Sequence, residues 1–201
     1  MKIYFVRHGE SIANTEGIIS NRGAPHPLTT KGRQQAQDLA RKLSTATITK
    51  IFTSPILRAR QTAEILAQAF HVPLEIADAL REYDCGVLEG QSVREHENDY
   101  RKLFQDWQIG RWDSRFEGGE SLLDIKARFV PFIDRITHEF SRTDNLVLVS
   151  HGGTLLSALP FVLTNVDRTF TLTQNFDNTA VVMAEITPEG LVCRSWFDQI
   201  F

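Results

Sequence analysis

Two short apolar runs, far apart in the chain, end in the same dipeptide. Tyr4–Val6 leads into Arg7-His8-Gly9, and Leu146–Val149 leads into Ser150-His151-Gly152. Short apolar runs of this kind are typical of buried strands, and the glycine permits a sharp turn after each. Imidazoles at the carboxyl ends of two such strands can meet where open α/β sheets bind ligands. The pattern therefore predicts a sheet with a site that brings the two histidines together.

Strand-like and helix-like segments alternate along the chain. Strand-like runs cover 2–7, 48–53, 74–76, 145–150, 179–186 and 191–197, and the last two flank Pro188-Glu189-Gly190. Helical periodicity begins at Thr29 or Thr30, at Ser54-Pro55, at Ser121 and after Gly152, whereas 11–28 has the composition of a loop. The alternation predicts an α/β fold with three layers: a mostly parallel sheet with an antiparallel edge, and helices on both faces.

The length and charge of the chain limit its organisation and its partners. A length of 201 residues fits one domain, 1–201, in which the irregular stretch of about 84–120 forms a small insertion with one helix near 93–107. The net charge of -3 gives no general attraction to nucleic acid. No apolar run approaches the ~20 residues of a membrane span, and the charged Arg7 comes too early for a signal peptide. Cys85 and Cys193 lack disulfide or zinc spacing, which fits a reducing cytoplasm.

Two arginines accompany the two histidines. Arg7 precedes His8, and the Ser54-Pro55 helix start places Arg58 in a first helical turn. An arginine there gains nothing from the helix dipole unless an anion compensates it. Each residue alone has a packing or surface explanation, but two guanidinium and two imidazole groups at strand and helix ends predict a phosphoryl site. A histidine in such a site is a nucleophile or a phosphate ligand.

Phosphoryl transfer to or from an alcohol also needs a proton donor. Glu82 and Asp84 follow the third strand-like run, and the spacing alone does not choose between them. A metal site is the competing explanation for histidines with an acid. Nearby arginines would repel a divalent cation, and no HxxxH or HxH spacing occurs, so no metal is expected.

Six motifs follow one another in the chain. They are Arg7-His8-Gly9-Glu10-Ser11 with Asn14, Pro27-Leu28-Thr29 with Gly32, Thr53-Ser54-Pro55 with Arg58-Ala59, Leu80-Arg81-Glu82 with Gly86, Gly118-Gly119-Glu120-Ser121, and Val149-Ser150-His151-Gly152-Gly153. In this order and spacing the chain resembles the histidine phosphatase superfamily, the phosphoglycerate mutase-like enzymes. The resemblance implies the phosphoglycerate mutase-like fold with a small cap, and neither a metal nor an organic cofactor.

The resemblance also implies residue roles. His8 is expected to attack phosphorus and become phosphohistidine, while Arg7, Arg58 and His151 hold the phosphoryl oxygens. Glu82, rather than Asp84, is expected to protonate the leaving oxygen. The substrate-binding residues implied are Asn14, Ser20, Asn21 and Gly152.

The acceptor of the phosphoryl group separates two activities. Hydrolysis of a small phosphorylated metabolite is the first expectation, because the chain is shorter than the glycolytic mutases and Gly153 stands where those carry an amide. A phosphoglycerate mutase is the first alternative, and a non-catalytic phosphate-binding regulator is the second. The basic residues of the central stretch form either a second anion site or a solvated face: Arg94, Arg101, Lys102, Arg111 and Arg115. The tryptophans of the same stretch, Trp107 and Trp112, either pack inside the cap or line an apolar wall of the substrate site.

The oligomeric state stays open, with a homodimer as one alternative. The aromatic tail, Trp196-Phe197 and Phe201, offers a surface that would pack on a neighbouring copy.

Overall fold

The computed structural model describes residues 1–22, 25–197 and 199–200. In this part of the chain, strands form one sheet: β1 (Lys2–Arg7), β2 (Lys50–Thr53), β3 (Leu74–Ile76), β4 (Asn145–Ser150), β5 (Val181–Thr187), β6 (Gly190–Trp196) and β7 (Gln199–Ile200). Their order across the sheet is β3-β2-β4-β1-β5-β6-β7. The first four in that order pair in parallel, and β5, β6 and β7 extend the sheet with antiparallel pairs. The predicted sheet, with its antiparallel edge, is confirmed.

The helices lie on both faces of the sheet. The α-helices are α1 (Ile12–Glu16), α2 (Thr30–Lys42), α3 (Leu57–Phe70), α4 (Glu97–Gln108), α5 (Leu122–Glu139), α6 (Gly152–Ala158) and α7 (Arg168–Leu172). Short 3-10 turns cover Asp78–Leu80, Gly86–Leu88, Arg94–His96 and Leu159–Phe161. Among the described residues, no helix has the length and apolarity needed to cross a membrane.

Successive side chains of the strands point alternately into two hydrophobic cores, one on each face of the sheet. Phe5 of β1 faces a core that includes Phe129 of α5, whereas its neighbour Val6 faces a second core that includes Leu39 of α2 and Ala63 of α3. Successive side chains of a strand point to opposite faces, so one buried strand supports a helix layer on each side. The three-layer architecture is thereby confirmed.

Two local predictions near the amino terminus are wrong. The 11–28 segment contains the short helix α1, because the Asn14 side chain accepts a hydrogen bond from the Ser11 amide at 3.1 Å and closes a capping box. The helix α3 begins at Leu57, with Ile56 rather than Ser54 as its N-cap. The Ser54 hydroxyl instead accepts the Ile56 amide in the preceding turn, at 3.2 Å. Arg58 nevertheless lies in the first turn of α3.

The predicted helix after Gly152 is present as α6, which ends at Ala158 and is followed by a 3-10 turn that contains Pro160. The prediction for the aromatic tail needs correction. Trp196 is fully buried against Phe170 and Phe176, so it offers no surface to a neighbouring copy. Phe201, which the same expectation included, lies outside the described residues.

Candidate active site

The carboxyl ends of the parallel strands bring the predicted residues together. β1 and β4 are neighbours in the sheet, with Arg7 paired to Ser150, so His8 and His151 leave adjacent strands at the same edge. Their rings lie 5.0 Å apart, centroid to centroid. β2 lies on the other side of β4 and leads to Arg58, and β3 leads to Glu82. The site therefore draws one group from each of the four parallel strands.

The hydrogen bonds of His8 fix its protonation. Nδ1 lies 2.7 Å from the carbonyl oxygen of Gly9, which can only accept, so Nδ1 carries the proton. Nε2 accepts a hydrogen bond from Nε of Arg58 at 2.9 Å, so a lone pair is on Nε2. The Gly9 amide in turn donates to the hydroxyl of Thr62 at 3.0 Å. These contacts hold a neutral imidazole with its nucleophilic nitrogen beside a guanidinium.

Both site histidines are buried and resist protonation. Burial, followed by the charges of Arg58 and Arg7, lowers the pKa of His8 well below its usual value. Burial and then the Arg58 charge do the same to the pKa of His151, whose Nε2 lies 2.8 Å from the hydroxyl of Ser54. The imidazole of His8 is therefore neutral at physiological pH, as a nucleophile must be.

The lowered pKa values of the two histidines predict how stability depends on pH. Below the unfolded pKa of ~6.5 the unfolded chain binds protons that the folded chain refuses, so the free energy of unfolding falls as pH falls. For each histidine, the free energy of unfolding changes by at most about 1.4 kcal/mol per pH unit. This change starts at a higher pH than the range in which carboxylates titrate. Urea unfolding at pH values from about 7.5 to 5 measures it.

The variants His8→Gln and His151→Gln test whether these two histidines cause the pH dependence of stability. Each removes one of the two buried imidazoles, so each should reduce the slope of the unfolding free energy between about pH 6.5 and 5 by about half. An unchanged slope in both variants would show that these histidines do not cause the pH dependence.

Two arginines carry the positive charge of the site. Arg58 is 4% exposed; its Nη1 donates to the carbonyl of Ser20 at 2.7 Å. Burial lowers the pKa of Arg58 to about 10, against the opposing effect of the Glu82 charge, so the group stays charged. Arg7 donates through Nη1 to the carbonyl of Phe176, and its buried Nε has no partner among the described residues. An unpaired buried donor beside a cavity favours an anion.

Four donors surround the carboxyl group of Glu82. Oε1 accepts from the Thr154 amide at 2.7 Å and the Tyr83 amide at 3.1 Å, and it shares the single Thr154 hydroxyl proton, at 2.9 Å, with the carbonyl of Arg81 at 2.8 Å. Oε2 accepts from the Gly153 amide at 3.1 Å. Oε1 is thus saturated, and the free lone pair is on Oε2, where a proton can reside and be exchanged.

Asp84, the rival acid, points elsewhere. Its Oδ1 accepts from Nε of Arg22 at 2.8 Å and from the Gly86 amide at 2.7 Å. Asp84 does not line the cavity that Arg7, His8, Arg58 and Glu82 share. The geometry therefore separates two carboxylates that the spacing could not.

The shared cavity has a volume of about 300 Å³. Of the predicted site residues, His151 is fully buried and does not line it. The others line it together with apolar side chains of the 84–120 segment and α6: Arg7, His8, Asn14, Ser20, Asn21, Arg58, Glu82 and Gly152, with Val93, Tyr100, Phe104 and Leu156. The central segment therefore forms a wall of the site.

The four predicted substrate-binding residues are used in different ways. Asn14 holds the start of α1, and the Ser20 hydroxyl pairs with Nδ1 of His26 at 2.8 Å. The Asn21 amide group donates to the carbonyl of Tyr83 and its backbone N–H donates to Glu89, so these donors of Asn21 are already engaged. Gly152 lies against the Arg7 side chain, where an added Cβ would be 3.4 Å from Cδ.

The basic side chains of the central segment form a solvated face. Arg94, Arg101, Lys102, Arg111 and Arg115 are exposed, and none lines the cavity. Two of them pair with acids on the surface, Arg111 with Asp106 and Arg115 with Asp124.

The two tryptophans of the segment pack inside it. Trp107 is 2% exposed, and the ring of Trp112 contacts that of Phe161. Neither lines the 300 Å³ cavity. Within the described ranges, no three histidine, cysteine, aspartate or glutamate residues cluster in a way that could hold a metal ion.

Several supporting residues escaped sequence reasoning. Thr62 lies one helical turn after Arg58 and suggested no role, and Thr154 follows the second histidine motif as an ordinary helical residue. Asn178 donates to the carbonyl of His8 at 3.1 Å from a loop before β5 that carries no recognisable pattern. Their roles depend on contacts across 53 to 170 positions of sequence separation, which no local signal encodes.

Comparison with known proteins places the chain in a family. The model of the histidine phosphatase superfamily (branch 1) matches residues 3–199. A protein of Salmonella choleraesuis named probable phosphoglycerate mutase GpmB is 35% identical in an alignment of 165 residues that covers 79% of this chain and 74% of the relative.

Solved structures show the same fold. A putative alpha-ribazole-5'-P phosphatase from Escherichia coli is 26% identical, with a TM-score of 0.79 and coverage of 98% and 97% of the two chains. A mycobacterial glucosyl-3-phosphoglycerate phosphatase, 20% identical, shares the fold with a TM-score of 0.85 over 98% and 99% of the chains. The chain is therefore a member of the histidine phosphatase superfamily, branch 1, with the phosphoglycerate mutase-like fold.

Proposed function

We propose that the protein is a phosphomonoesterase that hydrolyses a small phosphorylated metabolite through a phosphohistidine on His8. The single observation that carries the proposal is the state of His8: a neutral imidazole whose Nε2 lone pair faces Arg58 at the cavity. The partner we propose is a small soluble phosphate ester. The two free cysteines, Cys85 and Cys193, fit the cytoplasm as the place where it acts.

In the first step, the Nε2 lone pair of His8 forms a bond to phosphorus as the ester P–O bond breaks. Nε2 must first leave its contact with Arg58 Nε, and the freed N–H then faces a phosphoryl oxygen instead. The charges of Arg7 and Arg58 stabilise the negative charge of the oxygens. The proton on Oε2 of Glu82 goes to the leaving oxygen, which departs as an alcohol.

In the second step, water attacks the phosphorus and the P–N bond breaks, which returns the electron pair to Nε2. Oε2 of Glu82 takes a proton from the attacking water. Inorganic phosphate leaves, and His8 and Glu82 regain their starting protonation. The Gly9 carbonyl holds the proton on Nδ1 throughout, so the ring nitrogen that reacts is always Nε2.

A phosphoglycerate mutase is the second candidate, because the 35% identical relatives carry that name. Two observations favour hydrolysis. The charged side chains that line the cavity, within the described residues, are Arg7, Arg58 and Glu82, which leaves no further cation for a second anion. An amide at position 153 would also find no space, since a Cβ there would be 2.4 Å from the Tyr83 ring.

Release of inorganic phosphate from p-nitrophenyl phosphate tests the proposal. We expect turnover that is unchanged by EDTA. An enzyme that converts 3-phosphoglycerate to 2-phosphoglycerate only after priming with a bisphosphate, and releases little phosphate, would be a mutase. Binding of phosphate without any turnover would identify a regulator and contradict the proposal.

A further inference from the structure

A second cavity adjoins the phosphoryl cavity. Its volume is about 190 Å³, and its lining combines α4, α6 and the α7 region. Phe104 of α4 and Leu156 of α6 line both cavities, so the two cavities adjoin at these side chains. The remaining lining residues are Trp107, Ser157, Arg168, Thr171, Leu172 and Gln174.

Most polar groups around this second cavity already have partners in the protein. Nε1 of Trp107 donates to the carbonyl of Ser114 at 2.8 Å, and the Thr171 hydroxyl donates to the carbonyl of Arg168 at 3.1 Å. The Arg168 guanidinium donates to the carbonyl of Ser157 and lies over the Phe161 ring, 4.5 Å from its centroid. The Ser157 hydroxyl is the exception, since it is buried without a partner among the described residues, and the rest of the wall consists mainly of ring carbons and aliphatic side chains.

We propose that the second cavity receives the leaving group of the substrate and selects esters whose leaving group is an apolar alkyl or aryl body. This inference rests on the proposed phosphatase function and names the substrate class of the same site. A cavity of about 150 Å³ with Leu, Ile and Phe walls accepts benzene, so the space here holds a ring of that size or a short alkyl chain. A polyhydroxylated leaving group would lose its water against these walls and gain few partners, the unpaired Ser157 hydroxyl among them.

The position of the second cavity beside the first indicates which part of the substrate occupies it. When Arg7 and Arg58 hold the phosphoryl group, the rest of the substrate extends from the ester oxygen. Phe104 and Leu156 line both cavities, so a leaving group that extends along these two side chains reaches the second cavity. Leu172, 37% exposed, lines the second cavity but not the first, so its side chain would contact a leaving group bound there.

A series of n-alkyl monophosphates, from ethyl to hexyl phosphate, tests the inference. Their alcohols are nearly equal as leaving groups, so differences in kcat/KM report binding of the chain rather than bond breaking. We expect kcat/KM to rise about fourfold per added methylene until the cavity is full. The ratio of kcat/KM for hexyl over ethyl phosphate is the readout.

The variant Leu172→Gln locates the effect, with Leu123→Gln as its control. Leu123 is also an exposed leucine, 44% accessible, but it lines neither cavity. Leu172→Gln should reduce the hexyl-to-ethyl ratio by about tenfold, whereas Leu123→Gln should leave it unchanged. A ratio that Leu172→Gln does not alter, or that both variants alter equally, would overturn the inference.

Failure of the inference and of the underlying function give different results. Turnover of p-nitrophenyl phosphate with equal kcat/KM across the alkyl series would leave the phosphatase function standing and refute the apolar subsite. No phosphate release from any of these esters would overturn the proposed function, and the subsite with it.

Discussion

Replacement of His8 by alanine should lower the turnover of p-nitrophenyl phosphate by at least roughly 10³-fold. The variant lacks the nitrogen that bonds to phosphorus, and Arg7 and Arg58 carry no lone pair to replace it. The initial rate of phosphate release measures the loss. Because both guanidinium groups remain, His8→Ala should still bind inorganic phosphate, which distinguishes a lost nucleophile from an unfolded site.

The matched control is His138→Ala. His138 is an exposed histidine near the end of α5, and its Nδ1 pairs with the carbonyl of Asp134. Its replacement should leave the rate unchanged within about twofold. A folded His8→Ala protein with a near-normal rate would refute the assignment of the nucleophile.

Replacement of Glu82 by glutamine should affect two kinds of ester unequally. An alkoxide needs a proton as it leaves, whereas nitrophenolate leaves without one. We therefore expect kcat/KM for an alkyl phosphate to fall about 10²- to 10⁴-fold, and kcat/KM for p-nitrophenyl phosphate to fall less than about tenfold. The ratio kcat/KM is the right quantity because it reports the enzyme only up to the formation of phosphohistidine.

Asp84→Asn is the control for Glu82→Gln. Asp84 carries a carboxylate two positions away, but it pairs with Arg22 and lies outside the cavity. Its replacement should change kcat/KM for the two esters by the same factor. Equal losses for both esters in Glu82→Gln would show that Glu82 is not the proton donor.

The sequence was most informative where side chains follow strands. His8, Arg58 and His151 come directly after apolar runs or at a helix start, and parallel strands bring such positions to one edge. The alternation of apolar runs and helical periodicity also predicted the three layers, because each layer must bury one face of its elements. Both signals are local, and the long-range geometry follows from the sheet.

Other features depend on contacts that the sequence does not display. The helix α1 was missed because its capping box uses Asn14 where glutamate or glutamine is usual. The burial of Trp196 follows from α7, a short helix that the residue pattern did not predict. The choice of Glu82 over Asp84 depends on the amides of Gly153 and Thr154, which only the fold brings within reach.

The central claim is that Nε2 of His8 captures the phosphoryl group, and a trapped phosphoenzyme tests it most directly. The enzyme would be mixed with a phosphorus-32-labelled ester and quenched in alkali within milliseconds, and the labelled peptide would be identified by mass spectrometry. We predict an alkali-stable, acid-labile label on the peptide that contains His8, and no label in His8→Ala. An acid-stable label, or a label on a different residue, would contradict the account.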